Sequence, residues 1–315
     1  VWEQWKSLIT IVNLNASVDK RYEIKDIVKG KVMRARSVEN TAGGKGIHVA
    51  NIAHILGQDS IVTGYSGGKT GEFIEAELQK IGIKNCFVKI KDSTRECLAF
   101  ITDDLVQTEI LEPGPIVTQE EQESFMKLYE RLLADSRIIV ASGSVPKNIS
   151  KNIYEELIEK ANKNNKKFLL DTNGKLLEEG IKAKPYLIKP NIEELEMLLG
   201  KPIVNHKDII KHMKTLNKSG IKCIVVSLGA DGSFVCFDNN LFRVTVPDVE
   251  AVNPVGSGDS LVGGFAVGIE RNYSIEDTIA LGTACGTVNA MTKKTGWIEV
   301  KEVKEMMKKV KISRI

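Results

Sequence analysis

Asp259 lies inside a glycine turn, in the run Val252-Asn253-Pro254-Val255-Gly256-Ser257-Gly258-Asp259-Ser260, and the apolar segment Leu261-Val262-Gly263-Gly264-Phe265-Ala266 follows at once. The run reads as a turn feeding a buried helix, with Asp259 where the helix begins. Gly256 and Gly258 let amide hydrogens turn inward and put no Cβ in a ligand's way. A helix N-terminus adds unpaired amides and a positive dipole end, so the turn suits an anion, phosphate above all. The carboxylate inside that cradle has two readings. It caps the helix, or it accepts a proton from a hydroxyl attacking the bound anion, the arrangement that phosphoryl transfer to an alcohol requires.

Further candidates divide in the same way. Asn191 and Glu194, in Lys189-Pro190-Asn191-Ile192-Glu193-Glu194, stand three apart at a helix start. They could orient water around Mg²⁺, or form a capping box with Asn191 as N-cap and Glu194 at N3. Ser227-Leu228-Gly229-Ala230-Asp231-Gly232 ends an apolar strand and suits either a backbone approach to a nucleotide or a tight turn. Asp19 follows the first strand and could accept sugar hydroxyls or sit solvated in a turn. Lys45, between Gly44 and Gly46, and Arg95 could each meet a phosphate, or be ordinary surface cations. Thr63-Gly64-Tyr65-Ser66-Gly67-Gly68-Lys69-Thr70 nearly spells a Walker A loop, but Thr63 replaces its first glycine and no convincing magnesium-binding aspartate follows. No GxGxxG follows the first strand, which argues against a nicotinamide dehydrogenase.

The elements that must position these residues are mostly alternating strands and helices. Residues 8–14 form a short buried strand. Residues 15–42 and the pair 96–103 and 106–112 read as exposed strands. A helix runs from the Gly43-Gly44-Lys45-Gly46 turn to about Leu56; then come strand 60–65, helix 71–81 and strand 86–90. Beyond residue 118 the spacing predicts helix 119–134, strand 137–141, helix 150–163, strand 167–171, strand 186–188, helix 191–199, helix 206–219, strand 222–227, a hairpin over 233–246, and helices 260–270, 275–291 and 300–309. Such alternation implies an α/β fold: one mostly parallel sheet flanked by helices, with ligands at the carboxyl ends of its strands. The two exposed patches form a small inserted β-sheet beside it. With no linker or internal repeat, all 315 residues are expected in one domain.

Composition bounds the partners. A net charge of +3 gives no reason to expect nucleic acid or a membrane surface. The five cysteines (86, 97, 223, 236 and 285) and four histidines form no metal-ligand spacing. They point to core residues in a reducing compartment. No apolar run reaches the length of a membrane span, and residues 1–7 lack a signal-peptide core. A cytoplasmic location is expected.

Read in order, the motifs resemble the PfkB/ribokinase carbohydrate-kinase family, from about Ile9 to the C-terminus, in its tagatose-6-phosphate kinase and 1-phosphofructokinase branch. Leu14-Asn15-Ala16-Ser17-Val18-Asp19 is similar to the sugar-binding segment and Gly43-Gly44-Lys45-Gly46 to the first signature. Ser93-Thr94-Arg95 matches the site of a phosphate-binding arginine, and Ser142-Gly143-Ser144-Val145-Pro146 a substrate loop. Lys189 to Glu194, Ser227 to Gly232 and Gly256 to Asp259 resemble the magnesium and phosphate segment, the nucleotide loop and the anion hole with its base. The resemblance implies a ribokinase-like fold whose small sheet, from approximately 14–42 and 90–112, is a lid that pairs with a second copy in a homodimer. It implies ATP and Mg²⁺, with a monovalent cation, and transfer of the γ-phosphoryl of ATP to the C1 hydroxyl of D-tagatose 6-phosphate. Fructose 1-phosphate and fructose 6-phosphate are alternative acceptors; a non-catalytic sugar-phosphate-binding regulator is the alternative of another class. Asp259 would be the base and Gly256, Ser257 and Gly258 the anion hole. Asp19, Gly43, Gly44, Lys45, His48, Arg95 and Ser144 would hold substrate. Lys189, Asn191, Ser227, Gly229, Gly232, Gly256, Gly258 and Asn289 would hold nucleotide, with Asn191 and Glu194 holding Mg²⁺ through water. Two departures stand out: Ala16 replaces a proline, and His48 replaces an asparagine that an imidazole cannot copy.

Overall fold

The computed structural model describes residues 8–104 and 106–315. The segment 1–7, read above for a targeting signal, and Leu105 within the second exposed pair lie outside the described residues. In chain order the elements begin β1 (Leu8–Asn13), β2 (Ser17–Glu23), β3 (Ser37–Gly43), α1 (Lys45–Ile55), β4 (Ser60–Ser66), α2 (Gly68–Lys80), β5 (Lys84–Lys89), β6 (Arg95–Ile101) and β7 (Gln107–Leu111). They continue α3 (Gln119–Asp135), β8 (Ser136–Ser142), α4 (Ile153–Lys163), β9 (Lys167–Asp171), α5 (Gly174–Gly180), β10 (Leu187–Ile188), α6 (Ile192–Leu199), α7 (His206–Lys218) and β11 (Cys223–Ser227). The chain closes with β12 (Ser233–Phe237), β13 (Asn240–Thr245), α8 (Ser257–Glu270), α9 (Ile275–Ala290), α10 (Val300–Lys309) and β14 (Lys311–Arg314).

Ten strands form the main sheet, in the order β14-β13-β12-β11-β10-β9-β8-β1-β4-β5. From β11 to β5 every neighbouring pair is parallel, and β12, β13 and β14 extend that edge antiparallel. A separate sheet of order β3-β2-β6-β7 stands apart, which is the small inserted sheet expected from the exposed-strand pattern. Side chains alternate along the central strands. Ile9 and Ile11 face a core shared with α1, α8 and α9, whereas Val12 faces one shared with α3 and α4. The strands are therefore buried on both faces, the condition for a parallel sheet.

Two elements have no counterpart in the sequence expectation, α5 and β14. Only part of 15–42 is strand, because 24–36 runs without regular structure between β2 and β3. The near-Walker turn is closed to phosphate. The Gly67 amide donates to Thr94 Oγ1 at 3.0 Å, and Thr94 N–H returns a bond to the Gly67 carbonyl at 2.9 Å.

The helix that carries Asp259 owes its position to small residues. A Cβ on Gly264 of α8 would lie 2.6 Å from the Gly282 Cα of α9, and one on Gly282 would enter the Phe265 ring. The two helices thus approach to backbone contact, which no larger side chain permits. Gly264→Val should lower stability by about 1–3 kcal/mol, the usual cost of overpacking, read as a reduced denaturation midpoint in urea; an unchanged midpoint would mean the helices separate freely here.

Candidate active site

Four strands deliver residues to one end of the main sheet. β1 ends at Asn13, β8 at Ser142 and β9 at Asp171, while Lys189 follows β10 directly. The N-termini of α1 and α8 point to the same place and bring Lys45, His48 and Asp259. Asp171 and Asp259 are 1 % and 4 % exposed, and Lys189 is 5 % exposed. Charges buried this deeply must be paired, and these are.

Lys189 Nζ lies 3.2 Å from Asp171 Oδ1, and Lys45 Nζ lies 3.7 Å from Asp171 Oδ2. The same Lys45 ammonium is 3.5 Å from Asp259 Oδ1. Asp259 Oδ2 is 2.9 Å from His48 Nδ1, and His48 Nε2 is 3.8 Å from Asp19 Oδ2. Cations and acids therefore alternate from Lys189 to Asp19. The Asp171 carboxylate, then that of Asp259, hold Lys45 above the usual lysine range against the cost of burial. Burial alone would raise Asp259, but the Lys45 ammonium, the His48 hydrogen bond and Lys189 outweigh it and keep the carboxyl below its usual range.

The capping alternative for Asp259 fails. Gly256, at φ 80°, is the N-cap of α8, and no side chain caps that helix. Asp259 is the third residue of the helix, within its first turn but not at the N-cap, and its Oδ1 is buried without a hydrogen-bond partner. Among the described residues the amides of Gly256, Gly258 and Asp259 have no acceptor. Ser257 departs from the expectation, since its amide donates to the Pro254 carbonyl at 3.2 Å and is not free for an anion. Lys189 rests against Gly258, where a Cβ would stand 3.3 Å from its Nζ. A buried carboxylate oxygen, two ammonium groups and open amides thus face one space, an arrangement suited to a phosphoryl group and an attacking hydroxyl.

Asn289 also departs from its expected role. Its Oδ1 accepts from Gly296 N–H at 2.8 Å and Trp297 N–H at 3.2 Å, while Nδ2 donates to the Val255 carbonyl at 2.8 Å and Ser257 Oγ at 3.2 Å. No atom of that amide is left for a nucleotide. Asn289 instead ties the glycine turn to the loop after α9.

On the other side of Asp259, Asp19 Oδ1 accepts from Ser17 Oγ at 2.7 Å, and Gly43 packs so closely on the Asp19 carboxylate that a Cβ would displace it. Gly44 precedes α1 as its N-cap. Arg95 Nη1 donates to the Glu112 carbonyl at 3.1 Å and Nη2 to the Asn15 carbonyl at 3.3 Å, with Nε buried and unpartnered. Asn15 Nδ2 in turn donates to Ser144 Oγ at 3.0 Å. Arg95, Asn15 and Ser144, far apart in sequence, are therefore joined.

Asn191 and Glu194 form the capping box. Asn191 Oδ1 accepts from Glu194 N–H at 2.7 Å, and Glu194 Oε2 accepts from Asn191 N–H at 3.0 Å. Glu194 Oε1 stays outside that pair. Among the described residues no three acidic, histidine or cysteine side chains converge to enclose a metal. One carboxylate oxygen beside solvent suits a largely hydrated Mg²⁺, which keeps several waters. Ser227 pairs with Asn191 in an isolated bridge, and its amide donates to the Pro190 carbonyl at 3.1 Å. Gly229 opens a short 3₁₀ turn, and Gly232 closes it by accepting from Leu228 N–H at 2.8 Å, so the tight-turn reading of that segment holds.

Sequence reasoning missed Asp171. A carboxylate ending the apolar run Phe168-Leu169-Leu170 is the available signal, because ligands gather at the carboxyl ends of parallel strands. It missed Asn15 as a contact of Ser144 as well.

The family described as pfkB family carbohydrate kinase matches residues 9–299. A tagatose-6-phosphate kinase from Staphylococcus epidermidis is 35% identical over 314 residues, covering 98% of this chain and 100% of the relative. Phosphofructokinase-2 from Escherichia coli, solved in complex with potassium, superposes with TM-score 0.90 at 27% identity, covering 96% of this chain and 98% of that one. A ribokinase from Arabidopsis thaliana shares the fold at TM-score 0.78 and 20% identity, over 96% and 98% of the two chains.

The Lys189–Asp171 pair can be tested without substrate. Removing one partner of a buried ion pair strands the other charge, at a typical cost of 3–5 kcal/mol. Lys189→Met should destabilise by about 3 kcal/mol, since Lys45 still faces Asp171. Adding Asp171→Leu should recover much of that loss in the same denaturation experiment. A stable single variant would show that the pair is not what holds Asp171.

Proposed function

The chain belongs to the pfkB family of carbohydrate kinases, a phosphotransferase with an alcohol group as acceptor, and on that premise we propose that it phosphorylates the C1 hydroxyl of tagatose 6-phosphate with ATP. The observation that carries the reading is Asp259 Oδ1, a buried carboxylate oxygen that accepts no hydrogen bond and lies 3.5 Å from Lys45, near the open amides of Gly256 and Gly258. The acceptor oxygen attacks the terminal phosphorus and loses its proton to Asp259. A P–O bond forms to the sugar as the bond to the ADP leaving group breaks, and the proton later passes to solvent. Lys45 and Lys189 stabilise the charge spread over the transferring group. That assigns Lys45 to the moving phosphoryl rather than to the phosphate already on the sugar. Asp19 holds sugar hydroxyls, with Gly43 and Gly44 giving it room, and Arg95 and Ser144 hold the resident phosphate.

The nucleotide lies toward Asn191, Ser227, Gly229 and Gly232. Glu194, with Asn191, would hold a hydrated Mg²⁺, which would neutralise charge on the nucleotide phosphates. The potassium bound to the Escherichia coli relative supports including a monovalent cation in the assay. The Staphylococcus epidermidis relative supports tagatose 6-phosphate, and the Escherichia coli phosphofructokinase supports fructose 6-phosphate as the second reading. The exposed strand β3 of the small sheet, with its apolar Val38, is a surface that a second copy would cover.

Initial rates with Mg-ATP across tagatose 6-phosphate, fructose 6-phosphate, fructose 1-phosphate and ribose should be highest for tagatose 6-phosphate; a preference for ribose would overturn the phosphosugar assignment. Asp259→Asn should cut kcat by about 10²–10⁴, the range for losing a general base, with KM little changed. Arg95→Ala should raise KM for the phosphosugar roughly 10-fold or more, as expected for a lost charge-assisted hydrogen bond, and leave KM for ATP near its original value.

A further inference from the structure

His48 reaches both Asp259 and Asp19, at 2.9 and 3.8 Å. It lies in the first turns of α1, is 9 % exposed, and presents Nδ1 to Asp259 and Nε2 to Asp19. Its ring is fixed from the side as well. Gly296, at φ 63°, packs on it so tightly that a Cβ there would stand 2.8 Å from His48 Cβ and 3.0 Å from Cδ2. The Gly296 amide is itself held by Asn289. The imidazole is therefore packed closely on one side, and in the orientation it takes it engages Asp259 Oδ2 and leaves Oδ1 without a hydrogen bond.

We propose that His48 is a positioning residue: as an imidazolium it bridges Asp259 and Asp19, and by occupying Oδ2 it leaves Oδ1 as the atom that receives the proton of the acceptor hydroxyl. The proposal rests on the reading of Asp259 as the base. Its chemistry follows from the partners. A carboxylate at 2.9 Å requires Nδ1 to be the donor. In the neutral ring, Nε2 would then turn a lone pair toward the Asp19 carboxylate 3.8 Å away, whereas the imidazolium turns an N–H toward it. The charged groups facing the ring are Asp259 from α8, Asp19 from β2 and Lys45 from its own helix. Burial disfavours the charged ring, but the hydrogen bond and charge of Asp259, with the charge of Asp19, prevail over it and over Lys45, so its pKa is raised. Holding both acids on one rigid ring sets the span between the group that receives the proton and the group that grips the sugar.

Two measurements test this, one through turnover and one without it. His48→Ala should lower kcat about 10- to 100-fold, as expected when a reacting group loses its alignment. It should also move the acidic limb of the kcat–pH profile upward by about one pH unit, because Asp259 loses a cationic donor. His48→Asn, which keeps a neutral N–H donor at similar reach, should recover most of kcat but little of the limb. Thermal melts of both variants identify a folding defect. The second measurement follows the His48 ring by NMR titration, where Asp259→Asn should lower its pKa by about one unit. An unshifted ring titration, or an Ala variant with wild-type kcat and an unmoved acidic limb, would overturn the proposal. Absence of ATP-dependent turnover in the wild-type protein would instead overturn the functional reading, and the ring titration would still decide whether His48 bridges the two acids.

Discussion

Charge alternation at the carboxyl end of the sheet constrains everything around it. Lys189, Asp171, Lys45, Asp259, His48 and Asp19 follow one another at separations of 3.2, 3.7, 3.5, 2.9 and 3.8 Å. Few of these charges could persist alone at such burial, because removing an ion from water is costly unless a counter-ion replaces the solvent. Within the series Asp259 Oδ1 is a buried oxygen that accepts no hydrogen bond. In the mechanism proposed above a substrate hydroxyl supplies the missing donor, so the electrostatics that stabilise the fold would also define where reaction begins.

Such a series needs rigid supports, and the backbone provides them. Asp171 and Lys189 come from adjacent strands held in register. Lys45 and His48 come from one helix whose buried face packs on β1, and Asp259 from a second helix drawn against α9 by paired glycines. Asn289 closes the assembly by joining the turn at 255–257 to the loop at 296–297. An amide whose bonds all go to the protein thus fixes the turn that leads into Asp259.

Much of this was legible from residue types and spacing. The parallel core announced itself through β-branched runs buried on both faces, and Asp259 through the contradiction of an acid in an anion cradle. What could not be read came from partners distant in sequence. β14 is a charged four-residue segment that becomes a strand because β13 lies beside it. The Ser257 amide is lost to Pro254 by a turn geometry that Gly256 and Gly258 alone do not specify. His48 looked like a departure from a motif, and only the approach of α8 to α1 turns it into a contact with Asp259. Asp171 was readable but unread: the rule that drew attention to Asp19 at one strand end applies equally at another.

The reciprocal bonds between Gly67 and Thr94 carry a consequence for Arg95. They fasten the root of β6, one residue before the arginine, to the start of α2 on the main sheet, and Thr70 Oγ1 adds a bond to the Thr94 carbonyl at 2.6 Å. Arg95 is thereby moored to the main sheet, although its strand belongs to the smaller one. The guanidinium that bonds the Asn15 and Glu112 carbonyls is therefore placed by the same framework that presents Lys189 and Asp171, and the smaller sheet inherits its position from the larger one.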